Sequence, residues 1–398
     1  ENNSLRAVIF MKGDIMAATT TSRKRKGRGN IQKKANGNYL GRLRIAGYDT
    51  FYVTGISEKE VQKELDQFYL KTLKKEIIPQ KQTVNSYIEQ WLTSVKMPSL
   101  KAASYDRLER TYQKQIKNTP VGRSQLGTLT SMEIQTLINS YTTTLSYSSL
   151  KKVYDLLNNC FRYAVAVRDT GYNPVDGVRL PKQENLKIRT KEIEILSEAD
   201  IDRLEKAQNA LYKNGQPKYW YASAYVLIAN TGIRSGEALA LTWDNVNLRT
   251  KTLTICQNAS RIKKRDSENA TGSKQIITST KSRSGTRQVP LNSKALARLK
   301  ELQEHRHIQS QFVIYTSTGK MVVQNSFYRI FQNMQKSLGI KPVTIHALRH
   351  TFATQLIKAN VDIKVISQLL GHASVKITYD TYVHTDLDRA FSAVQSLE

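Results

Sequence analysis

Two breaks constrain this chain more than any other feature. A proline-led stretch, Pro79 to Thr83, and a charged stretch, Lys182 to Glu194, divide it into segments whose apolar residues recur with different periods. At 398 residues the chain exceeds one ordinary domain, and its 39% hydrophobic content suffices for folded cores in each segment. The reading is therefore multidomain, mainly α with small β-sheets.

Residues 1–22 are expected to form a flexible tail. A basic run follows, Arg23, Lys24, Arg25, Lys26 and Arg28, with no acidic residue among them. Asn36-Gly37 is a hairpin signal. Tyr39 to Ile45 alternates, with Arg42 and Arg44 on one face, and a second strand-like run spans Thr50 to Thr54. Ser57-Glu58-Lys59-Glu60 reads as a capping box, and Val61, Leu65, Phe68 and Leu73 give a helical stripe. Residues 23–78 are thus expected to form a small β-sheet plus one helix. Arginines on a strand face can enter a DNA groove, although a purely structural hairpin domain would show the same pattern.

Residues 83–181 read as an all-α domain. Val84, Tyr87, Ile88, Trp91, Leu92 and Val95 form a core stripe. Further helices are expected around Tyr105–Ile116, after the capping box Thr130–Glu133, and around Leu150–Val167. Their polar faces carry Lys101, Arg107, Arg110, Lys114 and Lys117. From Leu196 to the end, residues 196–398, the pattern is mixed α+β. Ser197 caps a helix, Trp220 to Asn230 reads as a buried one, Lys251 to Gln257 and Gln275 to Leu291 have strand character, and helical patterns resume at Ser293.

Charge narrows the partner. Lys plus Arg number 61 against 33 acidic residues, a net +28, and a polyanion is the simplest way to offset such self-repulsion. Nucleic acid fits. A membrane does not, because the longest apolar run, Tyr221 to Ala229, is about half of the roughly 18–20 residues a span needs. The two cysteines, Cys160 and Cys256, have no metal-like spacing and fit a reducing cytoplasm.

Chemistry-bearing groups gather in the last segment. Arg234 sits in Thr231-Gly232-Ile233-Arg234-Ser235-Gly236-Glu237, where a turn opens a helix. Lys281 lies in Thr280-Lys281-Ser282-Arg283-Ser284-Gly285-Thr286-Arg287, between two strand-like runs. His346, Arg349 and His350 fall in His346-Ala347-Leu348-Arg349-His350-Thr351-Phe352. Leu370-Gly371-His372 follows, and Tyr382 comes ten residues after His372. His346 and His350 have the spacing of a zinc helix, but no Glu follows His346 and no third ligand pattern occurs.

In this order and spacing the six residues resemble the tyrosine recombinase (phage integrase) family. The resemblance covers about 196 to 385 as a catalytic domain. The helical segment resembles the family's core-binding domain, and the N-terminal sheet is similar to the arm-binding domain of mobile-element integrases. It implies strand transfer through a 3′-phosphotyrosine and a Holliday junction, with no cofactor and no metal. Arg234 and Arg349 would hold the non-bridging phosphate oxygens, since guanidinium forks fit them and the transition state gains negative charge. His346 would serve as base toward the Tyr382 phenol, Lys281 as acid toward the leaving 5′-hydroxyl, and His372 as a phosphate donor. Tyr379 is the rival nucleophile, but Asp380-Thr381-Tyr382 matches the family variant whose nucleophile follows Asp-Thr. His350, His384 and Glu237 read as supporting partners.

Also implied are core and arm attachment sites in double-stranded DNA, contacted in part by Arg42, Arg44, Lys101 and Arg107, and a homotetramer. A host DNA-bending protein, an excision factor and a cytoplasmic, nucleoid-associated location complete the expectation. Val383, Leu387, Phe391, Val394 and Leu397 form a terminal apolar stripe, expected to be a helix exchanged between subunits. A non-catalytic DNA-binding regulator would explain the charge but not the retention of all six groups. A type IB topoisomerase shares the active-site logic, and the three-part layout favours recombination.

Overall fold

The computed structural model of the chain describes residues 29–45, 48–73, 82–188, 194–266, 271–280, 285–304, 306 and 308–382. The expected tail, the basic run at 23–28, Lys281, His384 and the stripe at 383–397 lie outside these residues. The chain divides into two compact units, Glu1–Thr190 and Lys191–Glu398.

In the first unit, β1 (Asn30–Lys33), β2 (Tyr39–Leu43) and β3 (Phe51–Gly55) form an antiparallel sheet in the order β1-β2-β3. The turn at Asn36-Gly37 closes with Gly37 at φ 88°, as the hairpin signal requires. Helix α1 (Glu58–Leu73) packs on one face through Val61 and Leu65. The approach is close, because a Cβ on Gly41 would stand 2.4 Å from Val61 Cγ1, so only glycine fits there. Phe51 and Phe68 stack with ring centroids 4.1 Å apart. The other face presents exposed Arg42, whose guanidinium lies 5.9 Å from the Tyr52 ring centroid, and Arg44 is exposed just beyond β2. Two local readings shift. The Glu60 carboxylate accepts from the Ile56 amide rather than from that of Ser57, and Leu73 is exposed because the helix outruns the sheet.

The helical part of this unit begins with Thr83, whose hydroxyl accepts from the Ser86 amide and caps α2 (Val84–Trp91). The stripe continues through a π-helical turn, Leu92–Lys96, into α3 (Met97–Ser99). There follow α4 (Ala102–Gln115), α5 (Pro120–Arg123), α6 (Ser131–Ser140) and α7 (Tyr147–Ala166). Both arms of the Thr130–Glu133 capping box form ahead of α6. Val84, Ile88, Tyr112, Ile134, Leu150 and Phe161 are among the residues of one core, which Val175, Val178 and Leu186 extend. Tyr112 is fully buried, and its hydroxyl donates to Glu89 Oε1 at 2.8 Å. Lys101, just before α4, and Arg107, within it, are exposed.

The second unit is built around α9 (Ala222–Thr231), buried along almost its whole length and packed against α8 (Glu198–Ala207), α11 (Ser293–Glu304) and α13 (Ile345–Lys358). Trp220, read as part of that helix, precedes it and is exposed. Short α10 (Ser235–Ala240) follows α9. Strands β4 (Val246–Asn247), β5 (Thr252–Ile255) and β8 (Arg287–Pro290) form one antiparallel sheet, while β6 (Gln257–Lys263) and β7 (Ser273–Ser279) pair as a hairpin. The single strand-like run Gln275–Leu291 is therefore two strands in two sheets. Helices α12 (Gln324–Leu338), α14 (Ile363–Leu370) and α15 (Val375–Tyr382) complete the unit. No described helix is long and apolar enough to cross a membrane. Both cysteines are free thiols.

Candidate active site

The site forms where α9, α13 and α14 end or begin near one another. Gly232 ends α9 in the left-handed conformation, at φ 64°. The chain then extends through Arg234 before α10. The Arg234 amide donates to Glu237 Oε2, and its guanidinium donates to Glu237 Oε1, each at 2.8 Å. Helix α14 ends at Gly371, also left-handed at φ 66°. Arg234 Nη2 donates to the Gly371 carbonyl at 3.1 Å. Arg349, on α13 and only 1% exposed, donates to the carbonyls of Gly232 at 2.9 Å and Leu370 at 2.7 Å.

A third guanidinium completes the arrangement. Arg287 Nε donates to the Leu369 carbonyl at 2.7 Å, and its Nη atoms reach both Glu237 oxygens at 3.1 and 2.9 Å. Three consecutive carbonyls at the end of α14 therefore accept from three arginines. These carbonyls have no partner within the helix and carry its negative dipole end, so cations belong there. A guanidinium has five N–H groups, so anchoring of this kind leaves others to bind an anion.

The imidazoles and the phenol lie in the same cluster. His372 Nδ1 is 2.7 Å from Thr378 Oγ1 of α15, which fixes its ring. His346 and His350, one turn apart on α13, meet edge to face with centroids 4.5 Å apart. The Tyr382 hydroxyl is 2.7 Å from His350 Nδ1, so the imidazole that this phenol bonds is His350 rather than His346. Tyr379, one turn earlier on α15, is exposed. Thus Arg234, His346, Arg349, His372 and Tyr382 come together in the second unit, while Arg42, Arg44, Lys101 and Arg107 belong to the first.

Burial and positive charge set the proton affinities. Burial first, then the neighbouring His350 and arginines, pulls His346 down to about 4. Burial followed by Arg349, Arg234 and Arg287 does the same to His372, also to about 4. His350 is lowered by burial and Arg349. Burial pushes the Glu237 carboxyl up, but bonds and charge from Arg287, with Arg234, outweigh it and hold the group below the usual range. Burial raises the Tyr382 phenol, against an opposing pull from Arg349 and Arg234. Burial and the facing Arg234 bring Arg349 to about 9, so it stays charged at neutral pH. This is a strongly cationic cluster with neutral imidazoles and one protonated phenol. Among the described residues, no three His, Cys, Asp or Glu side chains gather as metal ligands would.

Motif reading missed Arg287 and Thr378. Arg287 carries a faint signal, since period two along β8 puts it on the same side as buried Val289. An arginine on an inward strand face needs a buried counter-charge, and Glu237 supplies it.

Residues 194–389 match the phage integrase family. A XerC-like tyrosine recombinase of Caldanaerobacter subterraneus is 26% identical over 334 residues, 79% of this chain and 82% of the relative. The integrase of a Staphylococcus phage is 25% identical, over 76% of this chain and 88% of its own. Among solved structures, the Tn1549 transposon integrase in complex with transposon right end DNA superposes with a TM-score of 0.67 at 19% identity, covering 79% of this chain and 99% of that one. A lambda integrase dimer bound to a core site gives 0.56 at 18% identity, over 91% and 97%. Fold and site define a DNA strand-transferring enzyme of the tyrosine recombinase class. Within that class, residues 194–389 match the phage integrase family.

Proposed function

We propose that this site-specific DNA recombinase integrates and excises a mobile element, with Tyr382 as its nucleophile. One observation carries the reading: side chains from α13, α15, the start of α10 and the end of α14 converge in a cationic cluster containing one half-buried phenol. In the proposed reaction the Tyr382 oxygen attacks a phosphodiester and forms a 3′-phosphotyrosine as the bond to the 5′-oxygen breaks. Arg234 and Arg349 hold the non-bridging oxygens, His372 donates a further hydrogen bond, and His346 belongs to the same catalytic group. Lys281 protonates the departing 5′-hydroxyl. The phosphotyrosine conserves the energy of the cleaved bond, so rejoining needs no nucleotide.

The same reading extends to the assembly. Four copies act on two duplexes through a Holliday junction. Solved relatives supply the analogy, including a lambda integrase tetramer bound to a Holliday junction. The helical part of the first unit takes the core site, with Lys101 and Arg107 on phosphates. Its sheet takes arm sites through Arg42 and Arg44. A host DNA-bending protein and an excision factor would act beside it, on nucleoid DNA in the cytoplasm.

A nicked suicide substrate tests the assignment. Tyr382→Phe should bind the core site normally and form no covalent adduct, whereas Tyr379→Phe should still form one. The reverse result would move the nucleophile to Tyr379.

A further inference from the structure

We propose that His350, rather than His346, takes the proton from the Tyr382 hydroxyl as the phenol attacks the phosphate. The inference rests on the reading of Tyr382 as nucleophile and adds the identity of its proton acceptor. Nδ1 of His350 stands 2.7 Å from the phenol oxygen, within the range for direct proton transfer. The pairing is built into the packing. Tyr382 lies against the small cluster of Ala353, Ile357, Ile366 and Leu370, which seats the end of α15 on α13 and α14. The phenol ring is tilted against the His350 ring with centroids 5.4 Å apart, and His346 is the edge-to-face neighbour of His350.

The electrostatics fit an acceptor. His350 is held neutral by burial and by Arg349 on its own helix, where His346 is also its neighbour. A neutral imidazole with its proton on Nε2 presents a lone pair at Nδ1. From α15, burial keeps the Tyr382 phenol protonated, while Arg349 and Arg234 favour its anion, so the proton needs a partner only as attack begins. The step balances without any further reagent. The O–H proton passes to Nδ1, the phenol oxygen bonds phosphorus, and the phosphorus–O5′ bond breaks with its oxygen taking a proton from Lys281. On rejoining, the imidazolium returns the proton to the departing phenolate.

The test is single-turnover adduct formation by the full chain on a nicked core-site substrate, from mildly acidic to alkaline pH. The variants are His350→Ala, His350→Asn, His346→Ala and Tyr382→Phe, with core-site binding as the folding control. Asparagine places an amide near the Nδ1 position, so it keeps a hydrogen bond to Tyr382 but cannot take a proton. Both His350 variants should form adduct about 100-fold more slowly or worse. They should also lose the limb along which the wild-type rate rises as an imidazole deprotonates, and instead gain rate steadily as the phenol itself ionises. His346→Ala should slow the reaction yet retain that limb. Should the alanine variant lose DNA binding, the asparagine variant carries the comparison. A wild-type rate or an intact limb in His350→Asn would overturn the proposal, as would loss of the limb in His346→Ala alone. Adduct formation by Tyr382→Phe would instead overturn the nucleophile assignment.

Discussion

Glu237 is 3% exposed, and its carboxylate is shared by Arg287 and Arg234. Removing one partner of a buried pair leaves the other charge without compensation, a loss of about 3–5 kcal/mol. Glu237→Gln should therefore destabilise the protein by about that amount in urea unfolding, and Arg287→Ala should do likewise although it lies outside the recognised motifs. Acid should weaken the same site in two stages. His346 and His372 fall from 6.5 to about 4 on folding, so the unfolded chain binds more protons between those values. Stability is full above that window and declines as pH drops through it. Glu237, whose folded value is also lowered, adds its loss at lower pH still. A melting temperature that stays flat from neutral pH down to about 4 would contradict this account of the cluster. Lys281 has a chemical test of its own. A 5′-bridging sulfur leaves without needing a proton, so Lys281→Ala should be slow on ordinary DNA and largely restored on the sulfur-substituted strand.

At the scale of elements, two left-handed glycines set the guanidiniums in place. A Cβ on Gly232 would come within 2.4 Å of Phe352 and 3.0 Å of Leu370, at a positive φ that side chains disfavour. Gly232→Ala should cost more than about 1 kcal/mol and shift the carbonyl that Arg349 holds, lowering cleavage beyond what the stability change explains. Cleavage at the wild-type rate would show that the turn does not position Arg349. Local signals of this kind were legible in the sequence. The Thr130–Glu133 box, the α2 stripe and the turn before α10 each depend on residues a few positions apart. The pairing of His350 with Tyr382, 32 residues apart, depends on how α15 folds back onto α13, and no periodicity carries that. Arg287 was obscured for the same reason, because its partners lie 50 and 82 residues away. Leu73 and Trp220 read as core by spacing alone, yet Leu73 ends a helix that outruns its sheet and Trp220 lies in the turn before α9, so both are exposed.

Across the whole molecule, the net charge of +28 and the family match over residues 194–389 lead to one functional account. DNA affinity should fall steeply with salt as counterions are released from the phosphates. A fragment of residues 23–76 should bind arm-type DNA at low salt, and no binding there would remove the arm-reading role from Arg42 and Arg44. Everything else depends on the covalent link. The most direct measurement is to trap the adduct on a suicide substrate, digest it with trypsin and nuclease, and locate the nucleotide by mass spectrometry. The peptide running from Ile377 to Arg389 contains both Tyr379 and Tyr382. Fragment ions should place the nucleotide on Tyr382. A nucleotide on Tyr379, on a serine, or on no residue of this peptide would contradict the account.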